Sequence, residues 1–391
     1  MTNLASQPAP NHPVEHSFSY VADPPGLAEL LDRLPPVDRI ALDTEADSFY
    51  HYHEKVCLIQ LSFDGRHFLV DPLSGLDIAP LLASLADKVL IIHDAGYDLR
   101  ILHRQYGFVP RAGIFDTMPA AQLVGVARFG LADLLEQFLD ISVPKKGQKS
   151  DWSRRPLEAF QMQYAVADTA WLFALADRLQ DQLRQLGRIE WHRQSCENVI
   201  ASALQHKAEP RKDAWRITGS NRFGPRDLAF VRALWNWREK QARSADQPPF
   251  KILGNDPLLH LALSAAKNSH TPVENLMRLP RNCIGQRLLQ LQQAVDEAAG
   301  LAQTDWPKPF RPEFAPQPPY SKEEFEALRC EVSEIAEKLG LTPSLLAPRA
   351  AMINLVLKKP KTVEEIIKTA SLLPWQAERI QPAMEKLSLL P

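Results

Sequence analysis

The sequence is poor in cysteine and has no long hydrophobic segment. Its four cysteines, Cys57, Cys196, Cys283 and Cys330, are scattered over 391 residues and form no CxxC pair. This distribution argues against a zinc site and indicates a reduced compartment. No apolar run approaches the roughly 18 residues that are needed to span a bilayer, so we expect no membrane partner.

Several other signals that would define a class of protein are also missing. The first residues, MTNLASQPAPNHP, contain neither the charged region nor the apolar region of a secretory signal. We therefore expect a cytoplasmic protein. The sequence has no Gly-rich phosphate loop and no Ser/His/Asp arrangement that would offer a different chemistry. No feature indicates an obligate protein partner.

The charge of the chain is nearly balanced overall but unevenly distributed. The net charge is −2, from 45 Lys and Arg against 47 Asp and Glu. Residues 205–300 hold 15 basic and 9 acidic side chains, a net of +6, and residues 301–391 hold 12 of each. By difference, residues 1–204 hold 18 basic and 26 acidic side chains, a net of −8. This pattern suits a metal-binding domain joined to a module that binds a polyanion, although chance segregation is the alternative.

The first 200 or so residues alternate between β-prone and helical patterns. Two strands flank Asp64-Gly65, a strong signal for a two-residue hairpin, and with the strand before them they make three consecutive antiparallel strands. Later strands are each followed by a helical pattern, which predicts a mixed sheet with βα units, an α/β domain. We predict strands at residues 16–21, 39–46, 56–63, 67–70, 88–92 and 114–116, and early helices at 27–34, 78–85 and 97–106.

An acidic pair lies at the C-terminal end of the second predicted strand. Asp43 and Glu45 are two residues apart, so their side chains share one face of the strand. Carboxylates held so close repel each other. Mg²⁺ or Mn²⁺, which prefer oxygen ligands, would relieve that repulsion. The alternative is a strand that runs into a solvated turn.

Two further aspartates follow later strands. Asp98 falls in the first turn of the helix after strand 88–92, where the helix dipole favours an anion. This is also the edge of an open α/β sheet at which ligands bind. Asp116 ends the next strand, and we interpret it as a helix cap or as a group that supports the ligands. A helix-start residue is the alternative for Asp98.

The fourth acidic segment is predicted to lie on one long helix, with Pro156 near its start and Gly187 just past its end. Tyr164 and Asp168 are four residues apart and therefore share a face of this helix. An aspartate among apolar side chains is costly to bury without a partner, and a metal ion would offset that cost. A solvated Asp168 beside a core tyrosine is the alternative.

Taken in order, these segments resemble the DEDD superfamily of 3′→5′ exonucleases in its tyrosine-bearing subgroup, and most closely the ribonuclease D family. The motifs that carry the resemblance are IALDTEAD, HDAGYDL, FDT and QKSDWSRRPLEAFQMQYAVADTAWL. SDWSRRPL leading to YAxxD is the most specific of them. The resemblance spans roughly residues 16–185 and implies a ribonuclease H-like α/β exonuclease domain. His93 stands where many members of the superfamily carry Asn.

The resemblance also implies a mechanism and a set of site residues. Two divalent ions, Mg²⁺ or Mn²⁺, would lie about 3.5–4 Å apart in a two-metal site. The implied metal ligands are Asp43, Glu45, Asp98 and Asp168, and the implied catalytic residues are these four with Tyr164, which would orient the attacking water. The expected substrate contacts are Thr44, His93, Lys149 and Arg154.

The expected substrate is RNA with a single-stranded 3′ end, structured or tRNA-like, and the expected process is 3′ maturation of tRNA precursors. An exonuclease that acts on DNA would use the same carboxylates, and nothing in the sequence reads the 2′-hydroxyl decisively. A catalytically inactive nucleic-acid-binding protein is a third possibility. The presence of all four acids and the tyrosine argues against it.

The resemblance continues beyond the catalytic segments into helical modules. Leu228, Val231 and Leu234-Trp235 mark one face of a helix, and the Pro-Pro-x-x-Ile-Leu of residues 248–253 is typical of an HRDC domain. A proline cluster then precedes another amphipathic helix. We predict an exonuclease domain at residues 1–204, an HRDC domain at 205–300, a Pro-rich linker at 301–319 and a second HRDC-like helical domain at 320–391.

Overall fold

The computed structural model describes residues 16–143, 147–205, 213–309, 320–387 and 389. They divide into two compact units. The first unit comprises the described residues within Met1–Ala46, Val56–Lys207 and Pro318–Pro391, and the second comprises those within Asp47–Lys55 and Ala208–Gln317. Residues 310–319 of the predicted linker lie outside the described residues. Nowhere in the described ranges does a helix combine the length and the apolar character that a membrane crossing requires.

The first unit is built around a mixed sheet of six described strands in the order β1-β4-β3-β2-β5-β6. β2 and β4 each pair with β3 in antiparallel fashion, as predicted, and the other pairings are parallel. Asp64 and Gly65 both have positive φ, 49° and 69°, which the tight hairpin between β3 and β4 requires. The strands are β1 (Ser19–Val21), β2 (Arg39–Ala46), β3 (Val56–Phe63), β4 (Arg66–Val70), β5 (Val89–Ile92) and β6 (Ile114–Asp116).

Helices follow the later strands and cover the sheet, which confirms the predicted α/β class. α6 packs against β2, β3 and β4, and α3 packs against α8. β3 runs through the middle of the sheet and is buried at every position. The helices of this part are α1 (Pro24–Arg33), α2 (Ala79–Leu85), α3 (Gly96–Tyr106), α4 (Thr117–Leu123), α5 (Leu131–Leu139), α6 (Ala159–Ala170), α7 (Leu172–Gln185) and α8 (Ile189–Gln205).

The long helix predicted between Pro156 and Gly187 is wrong, because the chain forms two helices there. Trp171 ends α6 and precedes α7, with φ −105° and ψ −3°. Just before it, the Thr169 hydroxyl donates to the carbonyl oxygen of Val166 at 3.3 Å. Such back-bonding bends helices. The break therefore follows from a polar side chain that competes for the helix backbone.

The C-terminal helices belong to the same unit as the sheet. Their apolar side chains share one core with α4, α5 and α7. Trp375 stacks on Trp191 with 4.6 Å between ring centroids, and the guanidinium of Arg188 donates to the carbonyl oxygen of Leu339 at 2.5 Å. These helices are α14 (Lys322–Leu339), α15 (Pro343–Leu346), α16 (Arg349–Lys358), α17 (Val363–Ala370) and α18 (Pro374–Lys386).

The second unit is a helical bundle in which α9 packs against α10, α11 and α13. The predicted apolar face of its first helix is confirmed, since Leu228, Val231 and Leu234 are at most 1% exposed. The loop Asp47–Lys55 belongs to this unit, and its His51 imidazole lies 2.7 Å from the Asp246 carboxylate. The bundle consists of α9 (Pro225–Ser244), α10 (Pro249–Ile252), α11 (Asn255–Lys267), α12 (Val273–Leu276) and α13 (Gln286–Ala299).

Candidate active site

Three carboxylates converge where β2 meets α6. Asp43 and Glu45 leave the same face of β2, and Asp168 comes from the C-terminal half of α6. One oxygen of each carboxylate lies within 4.8 Å of the others. All three side chains are half-buried, so the cluster is partly withdrawn from water and partly accessible to it. The predicted sharing of one strand face by Asp43 and Glu45 is therefore present.

Asp98 lies beside this cluster but is held differently. It stands in the first turn of α3, as the sequence predicts, and it is 5% exposed. The Thr44 hydroxyl donates a hydrogen bond to its Oδ1. Through this bond Thr44 orients the Asp98 carboxylate. The negative charge of Asp98 in turn repels those of Asp43 and Glu45.

Tyr164 lies one turn before Asp168 on α6, and its hydroxyl is close to the Asp168 carboxylate. Its ring is bounded by Trp152, at 6.1 Å between ring centroids, and by the backbone of Gly147. Burial, together with the charges of Asp168 and Glu45, raises the pKa of the Tyr164 hydroxyl above its ordinary value. Tyr164 is therefore protonated at neutral pH and acts as a hydrogen-bond donor.

The cluster is electrostatically strained without a cation. Burial, and then the charges of the neighbouring carboxylates, raise the pKa values of Asp43 and Glu45 well above their ordinary values. Burial also raises the pKa of Asp98 to about 7 and that of Asp168 to about 7. Four carboxyl groups whose ionisation is opposed in this way would be stabilised by positive charge placed among them.

The donor set suits divalent metal ions. The converging ligand atoms are all carboxylate oxygens. Mg²⁺ and Mn²⁺ prefer oxygen ligands, whereas softer metals prefer sulfur or nitrogen. Gln60 stands opposite Asp43 in the β2–β3 register and is fully buried, and neither amide atom has a hydrogen-bond partner among the described residues. The amide group of Gln60 therefore lies next to the carboxylates, where it would form hydrogen bonds with metal-bound water.

Asp116 and His93 support the edge of the site. The Asp116 carboxylate accepts from the backbone N–H groups of Asp94 and Ala95, each at 2.9 Å, and caps α4. It thus has the capping role that its position predicts. His93 lies 2.9 Å from the hydroxyl of Thr117, and burial lowers its pKa to about 4. His93 is therefore neutral at physiological pH.

The remaining predicted contacts lie on the segment that precedes α6. Lys149 is exposed, and Arg154 is exposed and paired with Asp151 at 3.1 Å. Arg155 differs from its neighbour, since it is 24% exposed and holds both carboxylate oxygens of Asp71 at 2.6 Å. This anchor was not predicted. The Arg-Pro step within SDWSRRPL is its only signal in the sequence.

The fold and the acidic site define a nuclease of the 3′→5′ exonuclease class. The family model for 3′-5′ exonucleases matches residues 18–184, and the model for HRDC domains matches residues 227–271. Ribonuclease D from Zymomonas mobilis is 34% identical to this chain over 305 residues, which cover 76% of this chain and 74% of the relative. Ribonuclease D from Haemophilus influenzae is 30% identical over 358 residues, 90% of this chain and 85% of the relative.

The chain belongs to the ribonuclease D family and is a 3′→5′ exoribonuclease. A crystal structure has the same fold. Escherichia coli RNase D, described as an exoribonuclease involved in structured RNA processing, matches with a TM-score of 0.70 and 24% identity, over 95% of this chain and 98% of that one.

Proposed function

We propose that this enzyme trims structured RNA, tRNA precursors included, from a single-stranded 3′ end. The observation that carries the catalytic part is the convergence of Asp43, Glu45 and Asp168 in an acidic cluster. Asp98, beside Asp43, supplies the fourth carboxylate. The choice of structured RNA rests on family membership and on the described role of the Escherichia coli relative.

Two divalent ions, Mg²⁺ in particular, are the proposed cofactors. Asp43, Glu45, Asp98 and Asp168 would hold them, and they would lower the pKa of water and offset charge on the phosphate. Thr44 fixes the orientation of Asp98 through its hydroxyl. Tyr164, protonated and close to Asp168, would donate a hydrogen bond that orients the attacking water, because a phenol with a raised pKa is a poor base.

Lys149 and Arg154 are proposed to contact the scissile strand through its phosphates. Both are exposed on the segment that precedes the helix of Tyr164. Their charge attracts phosphate without reading the base. His93, which is neutral, could contribute a hydrogen bond but no charge.

The proposed function is tested with end-labelled RNA and DNA of matching sequence, with Mg²⁺, with Mn²⁺ and with a chelator. We expect stepwise shortening of RNA from the 3′ end, lost in the chelator and restored by added metal. Faster hydrolysis of DNA would favour the second reading, a DNA exonuclease. Binding of both strands without hydrolysis under any metal would favour an inactive binding protein.

Tyr164→Phe tests the role of the tyrosine hydroxyl. We expect kcat to fall by about 10²-fold, within the range of positioned proton-handling groups. The affinity for Mg²⁺ should change little, because the four carboxylates remain. Single-turnover kinetics and metal titration by calorimetry measure the two quantities. A large loss of Mg²⁺ affinity would mean instead that Tyr164 serves to hold Asp168.

The second unit offers a basic surface for the RNA backbone. A groove of about 380 Å³ between α9 and α13 is lined by Arg232 and Lys240, by several amide side chains and by the acidic Glu297. Arg226 and Lys240 are exposed, whereas Arg238 is 5% exposed and donates to the Leu253 carbonyl and to Asn255. We therefore assign phosphate contacts to the exposed cations and a structural role to Arg238.

Replacing Arg226 and Lys240 together by Gln should weaken binding of a long structured RNA and flatten its dependence on salt. Each phosphate contact that is lost lowers the slope of log K against log salt by about 0.7 for a single strand. Filter binding at several salt concentrations gives the slope. Lys338→Gln, on the charge-neutral C-terminal helices, is the matched control. An unchanged slope in the double variant would show that this surface does not bind RNA.

A further inference from the structure

The ring of Tyr164 touches a glycine that has no room for a side chain. Gly147 adopts φ +141°, in the region that favours glycine. A Cβ atom placed there would lie 2.4 Å from Cγ, 2.8 Å from Cδ2 and 2.9 Å from Cβ of Tyr164. These atoms are the stem of the side chain and one side of its ring. Relief of such a clash would require rotation of the whole ring about χ1 or movement of the loop.

The segment that follows Gly147 is attached to the sheet through Trp152 and Arg155, which limits such a movement of the loop. Trp152 is 1% exposed and packs with Leu58 and Ala165 in a small core beneath α6. Arg155 donates to the carbonyl oxygens of Cys57, at 2.7 Å, and of Trp152, at 2.8 Å. Its bidentate pair with Asp71, which the Tyr20 hydroxyl also contacts, completes the attachment.

A second residue of the same loop, Trp152, also lies against the Tyr164 ring. The Trp152 and Tyr164 rings are 6.1 Å apart between centroids and inclined at 38°. Gly147 begins a turn of this loop, since the Ser150 N–H donates to the Gly147 carbonyl at 2.8 Å. One anchored loop thus supplies two walls that limit where the Tyr164 hydroxyl can lie.

We propose that Gly147 is a positioning residue for the hydrolytic step: its bare backbone, held by the Trp152–Arg155 anchor, sets the Tyr164 ring so that the hydroxyl points at the acidic cluster. The inference rests on the role proposed above for Tyr164. It also gives the SDWSRRPL segment a function in the reaction, because that segment is the anchor. A side chain at position 147 would turn the hydroxyl away while leaving the carboxylates in place.

Gly147→Ala is the direct test, with Gly187→Ala as its matched control. Gly187 also has positive φ, +67°, but no heavy atom lies within 4 Å of a Cβ placed there. We expect Gly147→Ala to lower kcat by about the same factor as Tyr164→Phe, about 10²-fold, with KM and Mg²⁺ affinity nearly unchanged. Gly187→Ala should retain the full rate.

A double variant separates positioning from a general structural effect. If Gly147 acts through the tyrosine hydroxyl, Gly147→Ala should cause no further loss of kcat in the Tyr164→Phe background. Trp152→Phe gives a second route if Gly147→Ala does not fold. The Trp152 indole N–H has no hydrogen-bond partner in the described chain, so Phe loses no bond there. We expect it to lower kcat in the wild-type background only.

The outcomes distinguish this inference from the function on which it rests. Full activity of Gly147→Ala alongside a slow Tyr164→Phe would overturn the positioning role alone. Full activity of Tyr164→Phe would overturn the proposed role of the tyrosine, and with it the basis of this inference. Additive losses in the double variant, or a raised KM in Gly147→Ala alone, would show that the glycine acts on substrate binding or on the fold instead.

Discussion

Asp43→Asn is expected to abolish RNA hydrolysis and, at the same time, to stabilise the metal-free protein. Burial and the neighbouring carboxylates hold the pKa of Asp43 well above its ordinary value. Near pH 7 its charged form therefore costs folding free energy, and a neutral amide removes that cost. Loss of a metal ligand should lower kcat by more than about 10³-fold, beyond the usual loss of one electrostatic contact.

Thermal melts in chelator and in Mg²⁺ measure the stability part of this prediction. In chelator the variant should melt above the wild type, and Mg²⁺ should raise the melting temperature of the wild type far more than that of the variant. Asp64→Asn, at the exposed hairpin turn, is the control and should leave both melts unchanged. A variant that melts lower in chelator would contradict the strain described for the cluster.

Asp98→Asn extends the same test to the fourth carboxylate. The amide oxygen can still accept the Thr44 hydrogen bond, so the local structure should persist. Substantial turnover by this variant in saturating Mg²⁺ would remove Asp98 from the mechanism and leave a site of three ligands.

The second large effect concerns Trp375, which lies more than 200 residues from the acidic cluster in sequence. Trp375→Ala is expected to destabilise the whole first unit by about 3–5 kcal/mol, the usual cost of truncating a buried aromatic side chain. Trp375 is 1% exposed and stacks on Trp191 of α8, and its backbone N–H donates to the Gln194 side chain at 3.0 Å. Loss of this contact therefore weakens the core shared with α4, α5 and α7.

Chemical denaturation followed by circular dichroism, together with residual exonuclease activity, measures this loss. Phe250→Ala is the control, because Phe250 is 55% exposed and its truncation should change the free energy of unfolding by no more than about 0.5 kcal/mol. If the catalytic activity of Trp375→Ala survived to the wild-type denaturation midpoint, the C-terminal helices would be independent of the sheet. A chain truncated at residue 205 is for the same reason an unsuitable probe of RNA binding by the second unit.

The acidic cluster could be predicted largely because its determinants are local. Alternation along a strand places Asp43 and Glu45 on one face, and helical spacing places Tyr164 near Asp168. The break at Trp171 could not be predicted in this way. It depends on Thr169, whose hydroxyl meets Ser62 of β3 at 2.7 Å, a contact across 107 residues.

Two other features depend on long-range packing and could not be predicted from the sequence: the contact of Gly147 with Tyr164 and the packing of the C-terminal helices. The wall that Gly147 makes is visible only once Trp152 and Arg155 have been placed against β3. Likewise, the amphipathic pattern of α14 predicts a helix but not its partners, which include α15, α16 and α18. Periodicity indicates that a face is buried, and only the tertiary structure shows what covers it.

The discontinuous first unit has a consequence for synthesis. The described part of this unit breaks off at residue 205 and resumes at residue 320, after the second unit. On the ribosome, the nuclease core must therefore wait for helices that are translated after the second unit, a delay on the order of ten seconds or more at ordinary elongation rates. Until then the core that α4, α5 and α7 share with these helices is incomplete. The nascent chain thus completes the core of its nuclease only after the second unit has been synthesised.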